Sequence, residues 1–261
     1  AAVPWAAVHV ADLTQPGAVA DVFAGVRECE VVHAAGVIHP RSVAQFERVN
    51  VDATRNVVQQ ALAAGVRRFV HISSNSAIGT NPGPEDVFRD EEPYNPYLGY
   101  GRSKMLGELA VTQVLSEAAI PGVILRPPWF YGRFQPDRQA RFLKTVRSGR
   151  FPLLGDGSNR RSMVDVDSLA QAASLALRAD THGVRRYWIA DAHPYAMTDI
   201  LAAVQQAARL EGLSARAGHL RLPALAGMVA RRVDAALQRR GRYEQEIHVA
   251  GELDLTIACS V

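Results

Sequence analysis

The stretch RFVHISSNSAIG, residues 68–79, changes character halfway along. Arg68 to Ile72 is a short apolar run; the serine, asparagine and glycine after it favour a turn. Such a run, with loop residues at its carboxyl end, reads as a buried strand. Helical stretches flank it, with apolar positions three and four apart: Val43 to Ala64 before it and Gly99 to Ala118 after it. Gly65 stands where a C-cap glycine belongs. Further strands are expected at Ala7 to Val10, Glu30 to Ala34 and Val123 to Leu125, and a further helix at Gly17 to Ala24. This alternation predicts βαβ units, hence an α/β fold with a doubly wound parallel sheet.

Beyond Pro127 and Pro128 the rhythm loosens. A basic helix is expected from Gln135 to Ser148, a glycine turn at Gly155 to Gly157, and a strand at Met163 to Val166. There follow a helix at Asp167 to Arg178, a strand at Tyr187 to Ala190, and helices at Thr198 to Leu210 and Ala224 to Arg239. The chain therefore divides into a sheet-bearing domain, residues 1–132, and a smaller C-terminal lobe, residues 133–261, from which about 163–190 return to the sheet. The cluster Arg231, Arg232, Arg239, Arg240 and Arg242 reads as a solvated face.

Composition narrows the setting. With 261 residues, 48% hydrophobic and 21% charged, the chain can bury a core without disulfides or a structural metal. Cys29 and Cys259 lack any metal-ligand spacing and point to a reducing, cytoplasmic location. No apolar run reaches the length of a membrane span, and the first residues lack a signal peptide's basic region. A net charge of +3 with scattered arginines does not argue for nucleic acid. Lysine is scarce: Lys104 and Lys144 stand among 29 basic residues.

Half of that lysine lies in Tyr100-Gly101-Arg102-Ser103-Lys104. Four residues apart on a helix, the two side chains share a face. A phenol is a poor acid or base at neutral pH, and a neighbouring ammonium stabilises the phenolate. Lysine's compact, three-donor cation also suits the holding of sugar hydroxyls. The serines of His71 to Gly79 sit at the carboxyl end of a predicted parallel strand, where ligands bind in doubly wound sheets, although Ser, Asn and Gly are also ordinary loop residues.

The ordered series HAAG (33–36), VNVDAT (49–54), HISSNSAIG (71–79), PYLGYGRSK (96–104), ILRPPWFYG (124–132) and LLGDGSNRRSMVDVDSLA (153–170) resembles the extended short-chain dehydrogenase/reductases, or NAD-dependent epimerase/dehydratases. The resemblance covers about Val8 to Leu177 and implies a Rossmann-like domain, NAD or NADP as cofactor, a small-molecule substrate, and a homodimer as assembly. It carries a catalytic triad onto Ser74, Tyr100 and Lys104, with Ser74 ahead of Ser73 and Ser76 when Gly79 is aligned. It places cofactor contacts at Asp12, Leu13, Ala34, Ala35, Gly36, Asn50 and Pro127, besides Tyr100 and Lys104. Substrate contacts fall at Ser74, Trp129 and Arg161, and no metal is implied. Without that context Asp12 and Asn50 would read as helix-capping or turn residues.

Departures bear on the reading. The family's glycine-rich loop and first two strands do not occur, and with Ala1 and Val261 at its ends the chain reads as truncated at both. In the doubly wound order the strand ending at Ala34 is then left with an uncovered edge. The position that separates NAD from NADP is missing too. Asn75 and Ser76 replace the dehydratases' Asp-Glu pair, which disfavours dehydration. Trp129 stands where many nucleotide-sugar epimerases have asparagine, whereas Arg161 matches an arginine those enzymes use. The activity implied is oxidoreduction or epimerisation at a secondary alcohol or ketone, a nucleotide sugar being one candidate substrate. The alternatives are a hydroxysteroid- or dihydroflavonol-type reductase, with Trp129 and Phe130 either walling an apolar substrate or serving as core aromatics, or a dinucleotide-sensing regulator without turnover.

Overall fold

The computed structural model describes residues 6–83, 85–89, 91–135, 137–253 and 255–259. In chain order come α1 (Pro16–Phe23), β1 (Glu30–His33), α2 (Val43–Glu47), α3 (Ala53–Ala63), β2 (Arg68–Ile72), α4 (Leu98–Glu117), β3 (Gly122–Arg126), β4 (Trp129–Tyr131), α5 (Asp137–Arg147) and β5 (Pro152–Leu154). After them follow β6 (Arg160–Arg161), β7 (Met163–Asp165), α6 (Val166–Arg178), β8 (Val184–Trp188), β9 (Tyr195–Ala196), α7 (Met197–Leu210), β10 (Leu220–Leu222), α8 (Ala224–Arg239) and α9 (Gln245–Glu252). α2 and α3 are the two ends of the single helix expected from periodicity. Between them the backbone widens into a π-helical turn, Arg48–Asp52, a distortion that often marks a functional position.

β1, β2, β3 and β8 lie side by side in that order, all parallel. Alternation along β2 sends Phe69 and Val70 to opposite faces. Phe69 packs with Val19, Val58 and Leu115 from α1, α3 and α4, and Val70 packs with Ala173 and Ala176 of α6. Helices on both faces make this the doubly wound fold the sequence predicts.

Two strand expectations are corrected. Ala7 to Val10 belongs to no strand, and Val8 and Val10 are 71% and 98% exposed. β-branched residues favour strands by packing on a paired surface, and these find no partner strand among the described residues. The strand expected at Tyr187 to Ala190 instead spans Val184–Trp188. Arg185 and Arg186 interrupt its apolar pattern because it is the outer strand, half facing water. At the opposite edge β1 leaves Val32 43% exposed.

In the C-terminal part α5, α7 and β5 enclose Val146, Leu153, Met197 and Leu201. Short ladders join β4 to β7, β5 to β10 and β6 to β9. Leu255 to Cys259 runs back across the molecule, Asn81 exchanging side-chain hydrogen bonds with the Ala258 backbone at 3.1 and 2.7 Å. The expectations on the chain ends at Ala1 and Val261 lie outside the described residues. No helix among the described residues is long and apolar enough to cross a membrane.

Candidate active site

β2 delivers the serine loop. Ser73 N–H continues the ladder to the Leu125 carbonyl at 2.7 Å, and Asn75 N–H reaches the carbonyl of buried Pro127 at 3.1 Å. The loop is thus tied to the end of β3. Ser74 caps the short 3₁₀ turn Asn75–Ala77, its Oγ accepting from Ser76 N–H at 3.2 Å. The three serines then separate by role. The Ser73 hydroxyl donates to Glu108 Oε1 at 2.6 Å and is committed to the interior, whereas the Ser74 hydroxyl stays within its own turn, near Asn75 Oδ1 at 3.3 Å and Ser76 Oγ at 3.2 Å.

α4 brings the tyrosine and lysine to this loop, and Gly101 is what allows it. A Cβ there would fall 2.3 Å from the Ser76 carbonyl oxygen, closer than any side chain tolerates, so the first turn of α4 lies directly on the loop. Tyr100 is half-buried, its ring tilted against Phe46 at 5.9 Å. One turn on, Lys104 is buried and donates from Nζ to the Ile72 carbonyl at 2.8 Å. Burial pushes this ammonium down to about 8, Glu108 partly opposing the shift.

Asn50 stands in the π-helical turn and ties the end of β1 to α4. Its Oδ1 accepts from Val37 N–H at 2.7 Å, while Nδ2 donates to the Val37 carbonyl and to Ser103 Oγ, each at 2.9 Å. Ala34, Ala35 and Gly36 form an exposed strip of backbone beside it. A Cβ on Gly36 would stand 3.2 Å from Asn50 Oδ1 and 3.9 Å from Lys104 Nζ. Bare backbone next to a buried ammonium fits the ribose and phosphate portion of a dinucleotide.

The other expected contacts lie further out. Asp12 accepts from the backbone and hydroxyl of Thr14 at 3.0 and 2.8 Å, and those bonds lower its carboxyl. It thus forms the local turn that opens α1. Leu13 packs against the α1–α3 core, and its carbonyl accepts from Asn56 Nδ2 at 3.0 Å. Trp129 meets Phe142 edge to face at 4.9 Å, its Nε1 donating to Gln139 Oε1 at 3.3 Å. The Arg161 guanidinium donates to the Glu252 carbonyl at the end of α9.

Sequence reasoning missed the charge network beneath the site. Glu108 is fully buried and takes a bidentate bond from Arg126, 2.7 Å at the closer contact. It also accepts the hydroxyls of Ser73 at 2.6 Å and Tyr94 at 2.8 Å. The signal was present: Glu108 follows Lys104 by one helical turn, and Arg126 interrupts an apolar strand. His33 and His71 stack at 5.4 Å. Thr54 gives its proton to the Asn50 carbonyl, so its oxygen accepts from His33 Nε2–H at 3.0 Å, fixing that tautomer.

A parallel α/β sheet with helices on both faces, and with Ser74 and Lys104 held at the carboxyl end of β2, has the architecture of doubly wound nucleotide-binding folds. Residues 2–190 match the NAD dependent epimerase/dehydratase family, and the chain belongs to that family of enzymes, which uses NAD or NADP. It is 43% identical over 256 residues to the uncharacterized protein y4nL of Sinorhizobium fredii, covering 97% of this chain and 72% of that one. It is 29% identical to the 2-alkyl-3-oxoalkanoate reductase of Stenotrophomonas maltophilia, over 73% of this chain and 59% of that enzyme. Among solved structures, Thermus thermophilus UDP-glucose 4-epimerase in complex with NAD matches with a TM-score of 0.69 at 23% identity, over 81% of this chain and 70% of the other. The chain thus spans well under the full length of these relatives.

Proposed function

We propose that this chain carries the proton-transfer residues of an NAD- or NADP-dependent oxidoreductase or epimerase acting on a secondary alcohol or ketone. One observation carries the reading: Lys104, a buried ammonium pushed down to about 8, lies one helical turn from half-buried Tyr100 and beside the open backbone at Gly36. The dinucleotide, when bound, supplies the hydride carrier. The Tyr100 hydroxyl takes or returns the proton of the substrate hydroxyl. Lys104 favours the phenolate electrostatically and offers donors to ribose hydroxyls. Ser74 Oγ holds the substrate oxygen against the tyrosine. Asn50 and Pro127 shape the floor, and Ala34 to Gly36 line the cofactor side with Asp12 and Leu13 at its far end.

A nucleotide sugar is one substrate class, supported by the epimerases among the relatives. A second reading, an apolar ketone or alcohol, draws on Arg161, whose guanidinium bonds the Glu252 carbonyl, and on the half-buried aromatic pair of Trp129 and Phe142. The test follows absorbance at 340 nm with NAD and NADP against UDP-glucose, dTDP-glucose and 3-hydroxyalkanoates, with product analysis for epimers. Tyr100→Phe is expected to lower kcat by roughly 10²–10⁴-fold. Full activity in that variant overturns the assignment. Dinucleotide binding with no turnover across the panel favours the sensing regulator instead.

A further inference from the structure

The helix that carries Tyr100 begins without a cap of its own. The first N–H groups of a helix have no intrahelical acceptor, and a local Ser, Thr, Asp or Asn usually serves them. Here the N-cap position is Tyr97, whose side chain makes no such bond. The next residue, Leu98, sits at φ +49°, a left-handed conformation that a branched side chain adopts only when its surroundings impose it. The turn before Tyr100 is therefore held in place from outside.

The holding group comes from the far end of the chain. Gly99 N–H donates to Gln238 Oε1 of α8 at 3.0 Å. Gln238 is itself fixed: its Nε2 donates to Asp234 Oδ1 at 2.9 Å, and Asp234 Oδ2 accepts from His248 Nδ1 of α9 at 2.7 Å. All three side chains are buried. Because a carboxylate oxygen only accepts, Asp234 forces the amide to present nitrogen to it and oxygen to Gly99. Tyr97 adds a second contact, its ring stacked on His248 at 5.8 Å. The α8–α9 hairpin thus grips both the cap residue and one of the free N–H groups in the first turn of α4.

We infer that Gln238 is a positioning residue, capping the catalytic helix from α8 so that placement of the Tyr100 hydroxyl depends on how the α8–α9 hairpin is seated. The inference rests on Tyr100 being the proton-transfer group, but its principal readout does not require turnover. Gln238→Met removes the acceptor at nearly constant volume. Gln238→Glu keeps the acceptor and restores the donor to Asp234 only when its carboxyl is protonated.

The experiment uses the purified protein labelled with 3-fluorotyrosine, the Tyr100 ¹⁹F line being assigned by its loss in Tyr100→Phe. In folded Gln238→Met the Tyr100 line is expected to shift or split, while the line of Tyr187 on β8 stays. With any substrate turned over, kcat falls roughly tenfold or more and KM changes less than about threefold. In Gln238→Glu, lowering the pH returns the Tyr100 line toward its wild-type position, and no pH does so for Gln238→Met. An unmoved Tyr100 line in folded Gln238→Met overturns the inference, as does a rise in KM alone. If Gln238→Met fails to fold, Gln238→Ala, which also removes the acceptor to Gly99, takes its place, and an unmoved Tyr100 line there overturns the inference. Wild-type activity in Tyr100→Phe alongside a displaced line in Gln238→Met would remove the catalytic reading and leave the cap intact.

Discussion

His33 and His71 beneath the site and His248 in the α8–α9 hairpin are all buried, yet their imidazoles shift in opposite directions. Under the site, burial first and the ammonium of Lys104 second push His33 down to about 4 and His71 well below its ordinary range. In the α8–α9 hairpin burial also acts to lower His248, but the hydrogen bond to Asp234 and the nearby Glu252 outweigh it and raise the imidazole. The difference lies in the counter-charge within reach. Among the described residues of the sheet half, Glu108 is the buried carboxylate, and Arg126 occupies it. The hairpin gives one imidazole two carboxylates, at 2.7 and 3.6 Å. Burial alone does not decide a group's charge; its partners do.

The largest test removes the sheet half's carboxylate. Glu108→Leu leaves Arg126, 3% exposed, as an unpaired interior cation and strips partners from Ser73 and Tyr94. Urea unfolding should show a loss of about 3–5 kcal/mol, much of it recovered in Glu108→Leu/Arg126→Met, where the Arg126 cation is removed together with its partner. A loss below about 1 kcal/mol in the single variant would mean the pair is effectively solvated, and the contrast between the two halves would go with it.

Much of this arrangement was legible beforehand. β2 and β3 were, because central strands buried on both faces read as continuous apolar runs. Tyr100 and Lys104 were, because helical spacing places them on one face whatever the tertiary context. β8 was displaced, since an outer strand carrying Arg185 and Arg186 has no such run, and Ala7 to Val10 shows that strand propensity without a pairing partner leaves a chain extended and exposed. α9 was missed because the residues it buries, His248 and Gly251, are polar or small and write no apolar stripe. Gln238 carried no signal at all, for its partner Gly99 lies 139 residues upstream, and only the fold brings a cap to a helix from that distance.

The histidines offer a sharper test, through the pH dependence of stability. An imidazole lowered in the folded state means that the unfolded chain binds more protons between the two values. For His33, stability should therefore fall as pH drops from 6.5 toward about 4, by roughly 3 kcal/mol across that window. His248 has the opposite sign. Its raised imidazole stabilises the fold below 6.5, and that contribution is lost as pH climbs above 6.5 through the folded-state value. Urea midpoints between pH 4 and 8 should show a dome, with His33→Gln reducing the acid limb that His71 shares and His248→Gln flattening the alkaline limb. A single variant that flattens both would show that the halves do not titrate independently.

The smallest effect is expected at Lys104, and it should be a gain. An ammonium lowered from 10.5 to about 8 is held against its preference, so the unfolded chain binds the extra proton between those values and stability rises with pH across that window. Below pH 8 folding carries the whole cost, roughly 3 kcal/mol on that scale, offset by the bond from Nζ to the Ile72 carbonyl, worth about 1.5 kcal/mol or more because the donor is charged. Lys104→Met removes both and fills nearly the same volume. It should raise the unfolding free energy at pH 7 by about 1–2 kcal/mol, erase the rise in stability between pH 8 and 10.5, and abolish turnover. Such a result would mark Lys104 as a charge buried for chemistry at the expense of the fold, where Glu108 and Arg126 are charges that serve the fold only as a pair. If Lys104→Met instead lowers stability by as much as Glu108→Leu, the lysine belongs with that structural pair, and its place beside Tyr100 needs no catalytic explanation.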